Sequence, residues 1–148
     1  MNRTETDYLE REVMSRSPER LVPLMYDHLL ANLRRAQSQI ESRDLEGKAT
    51  SLQKASAIIS ELRATLDFEK GGDLAQRLAA LYAYFASELL TVGRSLDTLL
   101  LGRIIGMVAS LHEAWEKAAV STATTNATTR RPVLHTETAQ SGLGELRA

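Results

Sequence analysis

The sequence predicts an all-α protein, specifically an antiparallel four-helix bundle with an N-terminal arm and a disordered C-terminal tail. Three observations carry that expectation. Leu, Ala, Glu and Arg are abundant while only three prolines and eight glycines punctuate 148 residues, which is helix-forming composition. Apolar residues recur at i, i+3, i+4 and i+7 in four long stretches. Nowhere do they alternate with the period of two that a strand requires. One domain is the natural size for such a chain, and its organisation reads as an arm over 1–16, a bundle over 17–119 and a tail over 120–148.

The first helix is expected from about Ser17 to Arg43. Ser17-Pro18-Glu19 supplies a capping hydroxyl, a proline at the first helical position and an acid near the positive end of the helix dipole. Val22, Met25, Tyr26, Leu29, Leu33, Ala36 and Ile40 project onto one face. Pro23 conflicts with this pattern, because an internal proline lacks the N–H and clashes with the preceding turn at a cost of about 3 kcal/mol. A break is expected there, with the main helix beginning near Pro23.

The second helix is expected from about Asp44 to Leu66, with Leu45, Ala49, Leu52, Ala55, Ile59, Leu62 and Leu66 inward and Ile58 at the edge of the stripe. Gly71-Gly72 then interrupts the pattern, as residues free to take positive φ do. The third helix is expected from Asp73, as N-cap, to Val92, with Gly93 ending it. Leu74, Leu78, Leu81, Tyr82, Phe85 and Leu89 face inward, with the Tyr82 hydroxyl at the rim. The fourth runs from about Leu96 to Ala119. Short connections favour antiparallel neighbours. Beyond Val120, Ser, Thr and Ala dominate, and too little apolar surface is present to offset the entropy of ordering.

Composition and motifs narrow the function. Cysteine is absent, which excludes disulfides, thiolate metal sites and cysteine nucleophiles and fits a reducing compartment. A net charge of −1, with cations matched by acids, gives no drive toward nucleic acid or anionic lipid. The uncharged run Leu78–Ser87 is far shorter than the ~20 residues a membrane span needs, and Met1–Glu5 is unlike a secretory signal. Di-iron bundles carry Glu-x-x-His pairs, but Met25, Ala109 and Pro132 stand three residues before His28, His112 and His135. No phosphate loop or nucleophile elbow appears. No catalytic, cofactor-binding or metal-ligating residue is therefore assigned.

The fourth helix exceeds what packing needs. Leu96, Leu100, Leu101, Ile104, Ile105, Met107, Val108, Leu111 and Trp115 fill about 180° of its circumference, where a helix covered from one side uses an arc a little over 100° wide. Either neighbouring helices wrap it fully or part of it receives a partner's amphipathic helix. Leu101, Ile105, Val108 and His112, with Ile58 on the second helix, are the candidate contacts. Gly102 and Gly106 project onto the polar side.

Three blocks resemble the flagellin export chaperone family FliS. The first comprises Tyr8, Val13, Ser17-Pro18-Glu19-Arg20-Leu21 and Leu24-Met25-Tyr26-Asp27. The second is Leu62-Arg63-Ala64-Thr65-Leu66-Asp67-Phe68-Glu69-Lys70-Gly71-Gly72 with Leu74-Ala75, and the third is Leu81-Tyr82-Ala83-Tyr84 with Glu113-Ala114-Trp115. The resemblance implies a cytosolic chaperone, without catalysis or cofactor, that binds the C-terminal segment of flagellin and assists its delivery to the flagellar type III export gate. It also implies that Tyr8 lies in an arm able to cover part of the client site. The competing expectation is a structural bundle that associates with itself through the same apolar arc.

Overall fold

The computed structural model describes the backbone of residues 18–135 and the side chains of 21–120. The described residues form four helices and no strand: α1 (Pro18–Glu41), α2 (Leu45–Ala64), α3 (Phe68–Ser95) and α4 (Thr98–His135). The chain divides after Glu113 into two compact units. The first holds α1 to α3 and the part of α4 up to Glu113. In the second, the described residues are helical, with Trp115 and Ala119 half-buried among exposed neighbours. Tyr8 and the rest of 1–17 lie outside the described residues, as do 136–148.

Packing in the first unit follows the expected faces for most of their length. Tyr26, Leu29, Leu33 and Ala36 of α1, Ala55 and Leu62 of α2, Phe85 and Val92 of α3, and Leu101, Ile104 and Val108 of α4 are fully buried. Each large apolar side chain withdrawn from water contributes about 1.5–3 kcal/mol before entropic costs. The closest backbone pairings are α1 with α2 and α2 with α3.

The helix ends differ from expectation in instructive ways. α1 runs unbroken through Pro23 from Pro18. Pro23 sits near the helix start, so its missing N–H removes only the bond to the Glu19 carbonyl, and its ring is buried. The turn into α2 is a Schellman arrangement: Asp44 N donates to Gln39 O at 2.8 Å, Arg43 N donates to Ile40 O at 3.1 Å, and Arg43 takes φ 66°. Asp44 then accepts from Gly47 N and caps α2.

The start of α3 is capped by Asp67 rather than Asp73. Asp67 Oδ1 accepts from Glu69 N at 3.1 Å and Lys70 N at 3.0 Å. One helical turn follows, Gly72 breaks it at φ 49°, ψ −126°, and the helix resumes. Gly93 does not end α3, which continues to Ser95 and is closed by Leu96 in the left-handed region at φ 59°. α4 begins at Thr98 because Asp97 Oδ1 accepts from Leu100 N at 3.0 Å.

At the other end, α4 continues past Ala119 to His135. The segment 120–135, expected from composition to belong to a disordered tail, is thus helical. Extending an existing helix needs no new nucleus, and no glycine interrupts 107–135.

The first turn of α2 rotates away from its expected face. Leu45 is 47% exposed and Ala49 is exposed, while Lys48 and Ser51 point inward. Specific partners explain the exchange. Ser51 Oγ donates to Gln39 Oε1 at 2.7 Å, and Lys48 Nζ donates to Gly93 O at 3.1 Å.

Candidate functional site

The candidate site is built on the seam between α1 and the part of α4 within the first unit. Two contacts fix its register. A Cβ built on Gly102 would lie 3.7 Å from Gln37 Nε2, and His112 Nε2 lies 2.6 Å from Asp27 Oδ1. Ten residues separate the two positions on each helix, in opposite directions, so α1 and α4 run antiparallel along about 15 Å of seam at 1.5 Å per residue. Gly102, Ile105, Ala109 and His112, spaced by three or four, form the edge of α4 along that seam, and all four are half-buried.

The His112 end of the seam is polar and ties three helices together. The His112 imidazole stacks on the Tyr26 ring, with centroids 6.4 Å apart and planes inclined by 25°. Tyr26 and Tyr82 join their hydroxyls at 2.8 Å in the interior. The Tyr82 hydroxyl is therefore inside the bundle rather than at its rim. Burial pushes the Tyr82 phenol far above its ordinary range, and the hydrogen bond and charge of Tyr26 act in the same direction. His112 Nε2 is shielded from solvent, and although close to Asp27 it lacks the alignment of a hydrogen bond. That contact is one of proximity, not direction. Asp27 is 57% exposed.

The candidate residues separate on this geometry. Ile58, Leu101 and Val108 are core side chains, with no surface to offer a partner in this conformation. Ile105 and His112 are half-buried and share the seam. Tyr8 lies outside the described residues. The wide apolar arc of α4 is thus mostly wrapped: Leu100, Leu101, Ile104 and Val108 are buried, Leu96, Ile105 and Leu111 are half-covered, and Met107 is exposed.

Sequence reasoning missed several surface side chains. Leu99 is 77% and Leu90 65% exposed. Phe68 and Leu74, on either side of the Gly72 break, are also exposed. Sequence analysis places the break at Gly71-Gly72 but not the helical turn before it, which Asp67 caps and on which Phe68 lies. Asp27 was not singled out, because the sequence carries no sign that a position 85 residues later faces it.

No group of three or more His, Asp or Glu able to hold a metal occurs among the described residues. None of their helices is long and apolar enough to cross a membrane.

Fold and seam together define a class: an all-α bundle whose surface carries a half-open apolar seam closed at one end by polar side chains. The particular family follows from comparison. The model of the family described as flagellar protein FliS matches residues 1–122, and the chain belongs to that family. It is 36% identical over 110 residues to the flagellar secretion chaperone FliS of Salmonella typhimurium, covering 74% of this chain and 82% of that one. The Escherichia coli protein of the same name is 33% identical over 114 residues, covering 76% and 84%. The flagellar secretion chaperone FliSB of Pseudomonas aeruginosa is 32% identical over 108 residues, covering 73% and 86%.

Proposed function

We propose that this protein is a cytosolic export chaperone of the flagellar system. It binds the disordered C-terminal segment of flagellin one-to-one, prevents premature polymerisation and assists delivery to the flagellar type III export gate. The observation that carries this reading is the family match across residues 1–122, together with relatives named flagellar secretion chaperones.

The physical logic agrees with it. A segment that is unfolded alone can fold its apolar face onto a preformed helical seam. The entropy of ordering then subtracts from the contact energy, which keeps the complex reversible for export. Ile105 and His112 are the candidate contacts already half-open to solvent. Tyr8, in the arm, is the candidate cover of the client site. Its replacement by alanine is expected to change flagellin affinity while leaving the melting temperature nearly unaltered.

The deciding experiment is co-elution with flagellin, full-length and lacking about 40 C-terminal residues, a length of roughly two bundle-height helices at 1.5 Å per residue. A one-to-one complex with the full-length protein alone supports the proposal. No complex with either, accompanied by a mass that rises with concentration, makes the protein a self-associating structural bundle.

A further inference from the structure

We propose that the His112–Asp27 contact is a clasp that holds the last turn of the first unit's α4 against α1 and so keeps the seam closed to its client. This rests on the reading that the protein binds flagellin, and it adds a regulatory device to that site.

Four observations converge on the clasp. Val108 is the last buried residue of α4 among those described, and residues 109–113 are half-buried or exposed. That turn therefore has little apolar burial to hold it, and the first unit ends at Glu113. The backbones of α1 and α4 are not among the close helix pairings, so side chains span the gap. Within the turn, His112 makes the contacts to α1, through Asp27 and the Tyr26 ring.

The two halves of this fastening differ in strength. The Tyr26 side is anchored in the interior by Tyr82. The Asp27 side is weak by construction, because the carboxylate is mostly in water and its approach to Nε2 lacks hydrogen-bond alignment. Partly exposed polar contacts of this kind contribute little net energy. A contact that is weak yet placed at a turn without a buried residue is suited to open and close. Opening it would free Ile105 and the ring of His112 for an incoming apolar helix. The ligand can shift that equilibrium only by its preference for the open form.

The test compares full-length wild type, Asp27→Asn and Asp27→Glu, with His112→Phe as a second variant that keeps the ring against Tyr26 but removes Nε2. Amide hydrogen exchange of the client-free proteins reads the turn directly. In D27N and H112F, amides of 109–113 are expected to exchange about twofold to fivefold faster, as for a locally opening segment held by one weak contact, while amides near Leu29 and Phe85 stay unchanged. Flagellin is expected to bind both variants about twofold to fivefold more tightly, the worth of one partly exposed contact. D27E, which keeps the charge, is expected to resemble wild type in both readouts.

Unchanged exchange at 109–113 in both variants overturns the clasp. So does faster exchange with unaltered or weaker flagellin binding, which leaves His112 a packing residue. If wild type itself binds no flagellin, the client reading falls and the gating role falls with it. That failure is separate from a wild type that binds while the variants bind no better.

Discussion

The hydroxyls of Tyr26 and Tyr82 meet at 2.8 Å between α1 and α3, in a region where both rings are withdrawn from water. Two buried polar atoms, fifty-six residues apart in sequence, satisfy each other. Removing one leaves the other without that partner, which costs more than the net worth of the bond. Tyr82→Phe is expected to lower unfolding free energy by about 1–2 kcal/mol. Adding Tyr26→Phe should cost less than the sum of the single changes. Urea midpoints of wild type, both single variants and the double variant measure this. Strict additivity would show that the hydroxyls do not interact.

Tyr82 of this pair contributes to the behaviour of the protein in alkali. The folded-state phenol of Tyr82 stays protonated well above the ordinary tyrosine value of about 10, chiefly through burial. Its stabilising effect is therefore complete below about pH 10 and declines as the pH rises through and beyond that value. Above it the unfolded chain releases a proton that the native state retains, so this one group lowers stability with a slope of up to about 1.4 kcal/mol per pH unit. Urea midpoints at about pH 9 and about pH 11 should diverge in wild type and diverge less in Tyr82→Phe. An equal alkaline loss in both proteins would refute the assignment to Tyr82.

Much of this bundle is legible in the sequence, and the exceptions have physical causes. Periodicity finds Leu29, Leu33, Leu62, Phe85 and Leu89 because each is one contact in a continuous apolar stripe. It fails at Leu45 and Leu74 because a capped turn and the Gly72 break rotate those residues off the stripe. It offers Ile58, at the edge of its stripe, and Leu101, within the wide arc, as partner contacts, whereas wrapping by neighbouring helices buries both. A helical projection treats one helix at a time, and burial depends on all of them. The His112 half of the seam's polar end is legible as a candidate contact on the fourth helix. Its partner Asp27 is not, because only the antiparallel register of α1 and α4 brings the two together.

Lys48 is a charged side chain turned inward to reach the end of another helix. Its ammonium donates to the Gly93 carbonyl at 3.1 Å, near the end of α3, where the helix dipole is negative. Lys48→Met keeps much of the buried aliphatic volume and removes the donor. A loss of about 1–2 kcal/mol is expected, since bonds to a charged group exceed neutral ones. Thermal unfolding measures it. A melting temperature equal to that of wild type would show that the stem alone matters.

Two glycine-to-alanine changes should have opposite signs, and local geometry decides which is which. Gly72 adopts φ 49°, ψ −126°, a region closed to residues with a Cβ. Alanine there has space around it, with no atom within 4 Å of the added carbon, so any cost is backbone strain of about 1–3 kcal/mol. Gly106 lies within α4, and its added carbon likewise meets nothing within 4 Å. There alanine removes only the entropic penalty of glycine, so Gly106→Ala is expected to stabilise by about 1 kcal/mol. Urea unfolding of both variants beside wild type gives the two signs in one series. A destabilised G106A would show that this glycine is required by something other than helix propensity. A neutral G72A would show that the start of α3 rebuilds itself as continuous helix through Asp73.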